Sequence, residues 1–147
     1  MEAWIGLVGV FLGGVVALVG QQLSGRSQAK DRNATLLLEQ LSTLVALSHD
    51  YRNRIWEERN NLSRNAVAKW DLSAYRMAQS RVRILVSDPE LLGAVSELER
   101  LGIQLGRTWR LRRADSPDVE QAWQDHKKAV DNLTDLGRRL FTSRFPV

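Results

Sequence analysis

ATLLLEQLSTLVALSHDYRNRIWEERNNL, residues 34–62, decides the fold. Ala34, Leu37, Leu41, Leu44, Ser48, Tyr51, Ile55 and Leu62 follow one another in alternating steps of three and four, with only Glu58 breaking the series. Leu38 and Val45 widen the stripe. That rhythm places the side chains on one face of a helix with about 3.6 residues per turn. The stretch therefore predicts an amphipathic helix running to about Ser63, with one face for a core and one for water.

Downstream, the same rhythm returns between turn signals. A polar stretch from Asn60 to Ala68 interrupts it. Asp71 can then accept from the first free amides of a helix that carries Leu72, Tyr75, Ala78, Val82 and Leu85. Ser87-Asp88-Pro89-Glu90 reads as a cap with proline in the first turn, ahead of Leu91, Val95, Leu98, Gly102, Leu105 and Trp109. Ser116-Pro117-Asp118 repeats the start signal before Val119, Trp123, His126, Val130, Leu133, Gly137 and Leu140. No segment sustains a period of two between turn residues. The downstream chain is predicted to be all-α, a three- or four-helix antiparallel bundle.

Upstream, the segment AWIGLVGVFLGGVVALVGQQL, residues 3–23, contains no charged residue. As a helix it would span about 31 Å, close to the hydrocarbon thickness of a bilayer. Trp4 stands at one end, where an amphipathic ring suits the headgroup boundary. A cleaved signal peptide is disfavoured: no basic region precedes the apolar run, and Val15-Val16-Ala17 is a poor cleavage site. A buried soluble helix of such length is rare in a small domain. The predicted organisation is a glycine-rich transmembrane anchor over residues 1–25 and a cytoplasmic helical bundle over residues 26–147.

Gly6, Gly9, Gly13, Ala17 and Gly20 fall within an arc of about 80° on that helix. Lipid supplies no hydrophobic drive between helices, so a smooth face that lets backbones approach is the expected route to self-association. Counting by sevens, this small-residue face continues in the register of the downstream apolar stripe. Arg26, Lys30 and Arg32 follow the span, opposed by Asp31, and no positive side chain precedes it. The positive-inside rule then places the N-terminus outside and the bundle in the cytoplasm, with the cell's inner membrane as location.

Only a proline-marked cap intervenes between Leu85 and Glu90, whereas helix reversals usually take about 2–8 residues. The sequence therefore favours a kinked path in which residues 71–113 keep one direction. Such a path would return Arg107, Arg110, Arg112 and Arg113 to the inner leaflet beside Arg26, Lys30 and Arg32, where all seven would contact anionic lipid. In the alternative, a tight hairpin keeps the cluster away from that surface.

Composition narrows the chemistry. The 147 residues are enough for one domain, and with no cysteine they exclude disulfides and thiolate sites. Net charge is +4, carried by 17 Arg against 4 Lys. His49 and His126, each beside an aspartate, form no metal-ligand spacing, since adjacent helical positions point about 100° apart. His126 lies on an apolar stripe and reads as a core histidine. The pairs Glu57–Glu58 and Glu97–Glu99, and the arginines at 52, 54, 59, 64, 76, 81 and 83, read as solvated surface. Gly20 to Ser27 imitates a phosphate loop with Arg26 in place of lysine, but no strand precedes it. Neither a nucleophile nor a cofactor loop is legible, and the reading is non-enzymatic with no cofactor.

In its first thirty-odd residues the chain resembles small bacterial, phage and mobile-element membrane proteins with a G-x-x-x-G-G span and a charged helical domain. The residues that carry the likeness are Gly9-Val10-Phe11-Leu12-Gly13-Gly14, with Gln21 and Gln22 at the cytoplasmic exit. The resemblance implies the single-span topology and transfers no functional residue. The expected function is a membrane-anchored, self-associating scaffold that presents its bundle to an unidentified cytoplasmic protein partner. Alternatives are a membrane-perturbing effector of the holin or toxin kind, and a tether for nucleic acid, which lacks any reading motif.

Overall fold

The computed structural model describes the backbone of residues 2–112 and 116–144, and the side chains of residues 28–111 and 116–142. Four α-helices account for nearly all of it: α1 Glu2–Arg59, α2 Leu72–Leu85, α3 Pro89–Arg112 and α4 Pro117–Arg144. A single 3₁₀ turn, Val67–Lys69, lies between α1 and α2. No strand occurs among the described residues, so the all-α class is observed.

The chain divides into two compact units, Met1–Leu36 and Leu37–Val147. In the first, the backbone is helical from Glu2, and Lys30, Asp31 and Arg32 are exposed. Among the described residues no helix is long and apolar enough to cross a membrane. The side chains of the apolar run at residues 3–23, and with them the membrane-spanning expectation and the stripe Gly6, Gly9, Gly13, Ala17 and Gly20, lie outside the described residues.

The second unit is a four-helix antiparallel bundle, made from residues 37–59 of α1 with α2, α3 and α4. Each helix starts and stops for a local reason. α1 ends where Asn61 takes a positive φ of 56°, a conformation asparagine tolerates better than most residues. The Leu62 amide then donates to the Glu57 carbonyl at 2.9 Å and Asn61 to Glu58 at 3.2 Å, closing carbonyls the helix would leave open. Asp71 caps α2 by accepting from the Ala74 amide at 2.8 Å. Asp88 does the same for Leu91 at 2.8 Å, with Pro89 in the first turn.

Chain direction can be read from paired positions. The Arg54 guanidinium donates to the Ala66 carbonyl at 3.1 Å, and the Trp70 indole to that of Leu47 at 2.9 Å. The chain beyond α1 therefore runs back along it. Arg83 donates to Glu99 at 2.8 Å and to the Ser96 hydroxyl at 3.4 Å. In one continuous helical path Arg83 and Glu99 would stand about 24 Å apart. The same-direction path for residues 71–113 is therefore corrected: α2 and α3 form a tight hairpin. Val86, extended at φ −105° and ψ 132°, begins the reversal, and the buried Val86 side chain anchors it. α4 descends against α1, from the Arg59–Glu120 pair at 2.6 Å, past the ring contact of Tyr51 with His126, to Gly137 beside Leu41.

The core follows the apolar stripes. Leu37, Leu41, Leu44, Tyr51 and Ile55 of α1 are buried, as are Val82 of α2, Leu91, Val95, Leu98 and Leu105 of α3, and Val119, Val130 and Leu133 of α4. Leu62, expected to end the first stripe, is exposed because α1 has already stopped at Arg59.

Candidate ligand-binding cleft

At the end of the bundle where α1 stops, the polar connection and the first turns of α2 stand away from the C-terminal half of α3. They leave a cleft of about 770 Å³. Glycine makes part of this geometry: a Cβ at Gly106 would collide with the Tyr51 hydroxyl, so only glycine lets that phenol reach the α3 backbone.

One wall is aromatic. Tyr51 and Trp70 rings lie 4.5 Å apart, and Trp70 and Tyr75 5.1 Å apart, within the range of favourable tilted ring pairs. Burial pushes the Tyr75 hydroxyl up to about 12, with the nearby Glu99 charge adding to the rise. Burial also raises the Tyr51 hydroxyl, opposed by Arg110. Both phenols stay neutral donors at physiological pH.

The floor is polar and buried. Ser48, Gln79 and His126 line it, exposed by 0, 6 and 1 % respectively. Ser48 donates within its own helix to the Leu44 carbonyl at 2.7 Å. Gln79 Nε2 and His126 Nδ1 have no partner. Burial, reinforced by the positive Arg52 and by His49, depresses His126 to about 4, so the imidazole is neutral near pH 7.

The mouth carries charge of both signs. Arg76, Arg107 and Arg110 line it with Glu58 and Glu99. The two carboxylates are engaged. Glu99 pairs with Arg83, while Glu58 accepts from the Trp109 indole at 3.0 Å and from the Val67 amide at 2.9 Å. Arg110 donates to the Gly106 carbonyl at 3.2 Å. Arg76 and Arg107 are exposed and have no acidic partner among the described residues.

Residues singled out in the sequence fall in different places. Arg107 and Arg110 sit at the Glu58 end of the bundle, opposite the end marked by Leu41 and Gly137. The hairpin removes the argument that joined them to Arg26, Lys30 and Arg32. Lys30 and Arg32 are exposed in the first unit; the side chains of Arg26 and Arg112, and Arg113 entirely, lie outside the described residues. His126 is buried on the α4 stripe, while the neighbouring Asp125 is held by the Gln121 amide at 2.8 Å. Among the described residues no cluster of three or more histidines and carboxylates could hold a metal ion.

Two surface readings require correction. Glu58 is half-buried and holds the end of α3 and the connection together. Arg52, taken for a solvated residue, is 6 % exposed. Its guanidinium lies 5.1 Å over the Trp123 ring and contacts His49 Nδ1 at 2.7 Å, while Nε and Nη1 lack partners. Its position directly after Tyr51 turns it to the α4 side of the stripe, where it meets the Trp123 ring and the more distant charge of Asp131. No protein family, curated protein or solved structure matches this chain.

Proposed function

We propose that this chain is a membrane-anchored binding module, non-enzymatic, that self-associates through its N-terminal helix and presents its bundle to a cytoplasmic protein partner. The observation that carries the membrane part is the charge-free run at residues 3–23, bounded by Trp4 and followed by Arg26, Lys30 and Arg32. These three cations suit anionic headgroups, at about 1 kcal/mol each. The separate compact unit from Leu37 onward, with a cleft whose mouth is unshielded, supports a binding role for the bundle.

Topology is the decisive measurement. With no positive side chain before the run and three after it, Val147 belongs in the cytoplasm. A C-terminal fusion to a reporter active only inside should be active, and one active only after export should be silent. Activity of the exported reporter would reverse the orientation, and recovery of the chain in the soluble fraction would remove the anchor.

Self-association has its own test. Gly13→Ile should block backbone approach and weaken association in the membrane by about 1–2 kcal/mol, whereas Val15→Ile, off the small-residue face, should not. Equal behaviour of the two variants in a membrane dimerisation assay would reduce the stripe to composition.

A further inference from the structure

We propose that the cleft binds a small organic anion built on an aromatic ring. The ring would lie against Tyr51, Trp70 and Tyr75, with its anionic group at the mouth between Arg76 and Arg107. This inference rests on the second unit alone and stands or falls independently of the membrane reading.

Four observations converge. The volume, about 770 Å³, is that of sites which enclose most of a small ligand. The wall offers three aromatic rings, Trp70 in contact with Tyr51 on one side and Tyr75 on the other, a surface suited to another flat ring. Buried polar atoms normally find partners, yet Gln79, which lines the floor, carries one that has none, Nε2. A polar substituent at the inner edge of the ring would supply an acceptor for the Gln79 amide. The charge at the mouth then selects the sign. Glu99 is neutralised by Arg83 and Glu58 is held by two N–H donors, leaving the guanidiniums of Arg76 and Arg107, from α2 and α3, without acids among the described residues. A guanidinium fork matches the geometry of a carboxylate or phosphate. With both phenols protonated and the imidazole neutral, nothing on the floor repels such a ligand.

The probe is 6-hydroxy-2-naphthoate, compared with its neutral carboxamide. Binding is followed by energy transfer from tryptophan to naphthalene in the full chain held in nanodiscs of uncharged lipid, with empty discs subtracted. The naphthoate should bind saturably below about 1 mM and at least tenfold more tightly than the carboxamide. Each charge-assisted contact of about 1.4 kcal/mol corresponds to tenfold in affinity. Replacing both exposed arginines (Arg76→Gln with Arg107→Gln) should remove that advantage, leave carboxamide binding unchanged, and leave the helical circular dichroism intact. Equal affinity for the two compounds, retention of the naphthoate preference in the double variant, or absence of saturable binding would each overturn the proposal.

Discussion

Lowering the pH from 7.5 to 5 should cost the folded bundle about 2 kcal/mol, and His126 should account for most of it. An unfolded imidazole titrates near 6.5, whereas burial beside Arg52 and His49 depresses this one to about 4. Between these values the unfolded chain takes up a proton that the folded chain refuses. The stabilisation is fully present above pH 6.5 and disappears as the pH falls toward 4. His49 is depressed in the same direction, by burial first and by Arg52 second, and adds a smaller part from its more exposed position. Stopping at pH 5 keeps carboxylates such as Glu97 and Glu120, each held low by a hydrogen bond from an arginine, largely ionised. Urea titrations of the full chain in mild detergent, followed by helical circular dichroism, measure the slope. His126→Gln should flatten it by more than half. Parallel slopes for variant and parent would mean that the buried imidazole accepts its proton in the folded state.

The second large effect concerns packing. Leu98→Ala should destabilise the bundle by about 2–5 kcal/mol. Leu98 has no exposure and is buried in the same cluster as Leu44, Val82, Val130 and Leu133, contributed by all four helices. Truncation removes apolar contact and leaves a cavity that the surrounding helices fill only partly. Ile84→Ala provides the contrast: Ile84 is 82 % exposed, and its loss should change stability by no more than about 0.5 kcal/mol. The same urea titrations compare them. A cost below about 1 kcal/mol at Leu98 would mean that the helices do not pack around it.

These two residues also mark what is readable in the sequence. Leu98 and His126 both sit on stripes with helical period, and burial follows from that period alone. Asp71, Asp88 and Pro89 announce their helix starts through side-chain chemistry that needs no tertiary context. Direction is different. The stripes of residues 72–85 and 91–109 look the same whether the chain continues or reverses, and only linker length argued between the two. Residues 86–88 proved sufficient because extended Val86 is followed by a capping aspartate and a proline already set for the first turn of α3. Arg52 reads as solvated because its counterparts, the Trp123 ring and the Asp131 charge, lie on α4, far along the chain. The cleft was likewise invisible as a site: Trp70 falls between the polar stretch and the Asp71 cap, on no helical stripe, and the importance of Gly106 depends on a phenol from another helix.

The connection between α1 and α2 has a thermodynamic consequence. Arg54 holds the Ala66 carbonyl, Glu58 holds the Val67 amide, and Trp70 reaches the Leu47 carbonyl, so three points fasten residues 66–70 to one helix. A loose loop of that length would lose conformational freedom when a partner settled against it, and affinity would fall accordingly. Here that freedom is surrendered during folding, before any partner arrives. The aromatic wall therefore behaves as a preorganised surface, and contacts formed on it go into affinity without an ordering penalty.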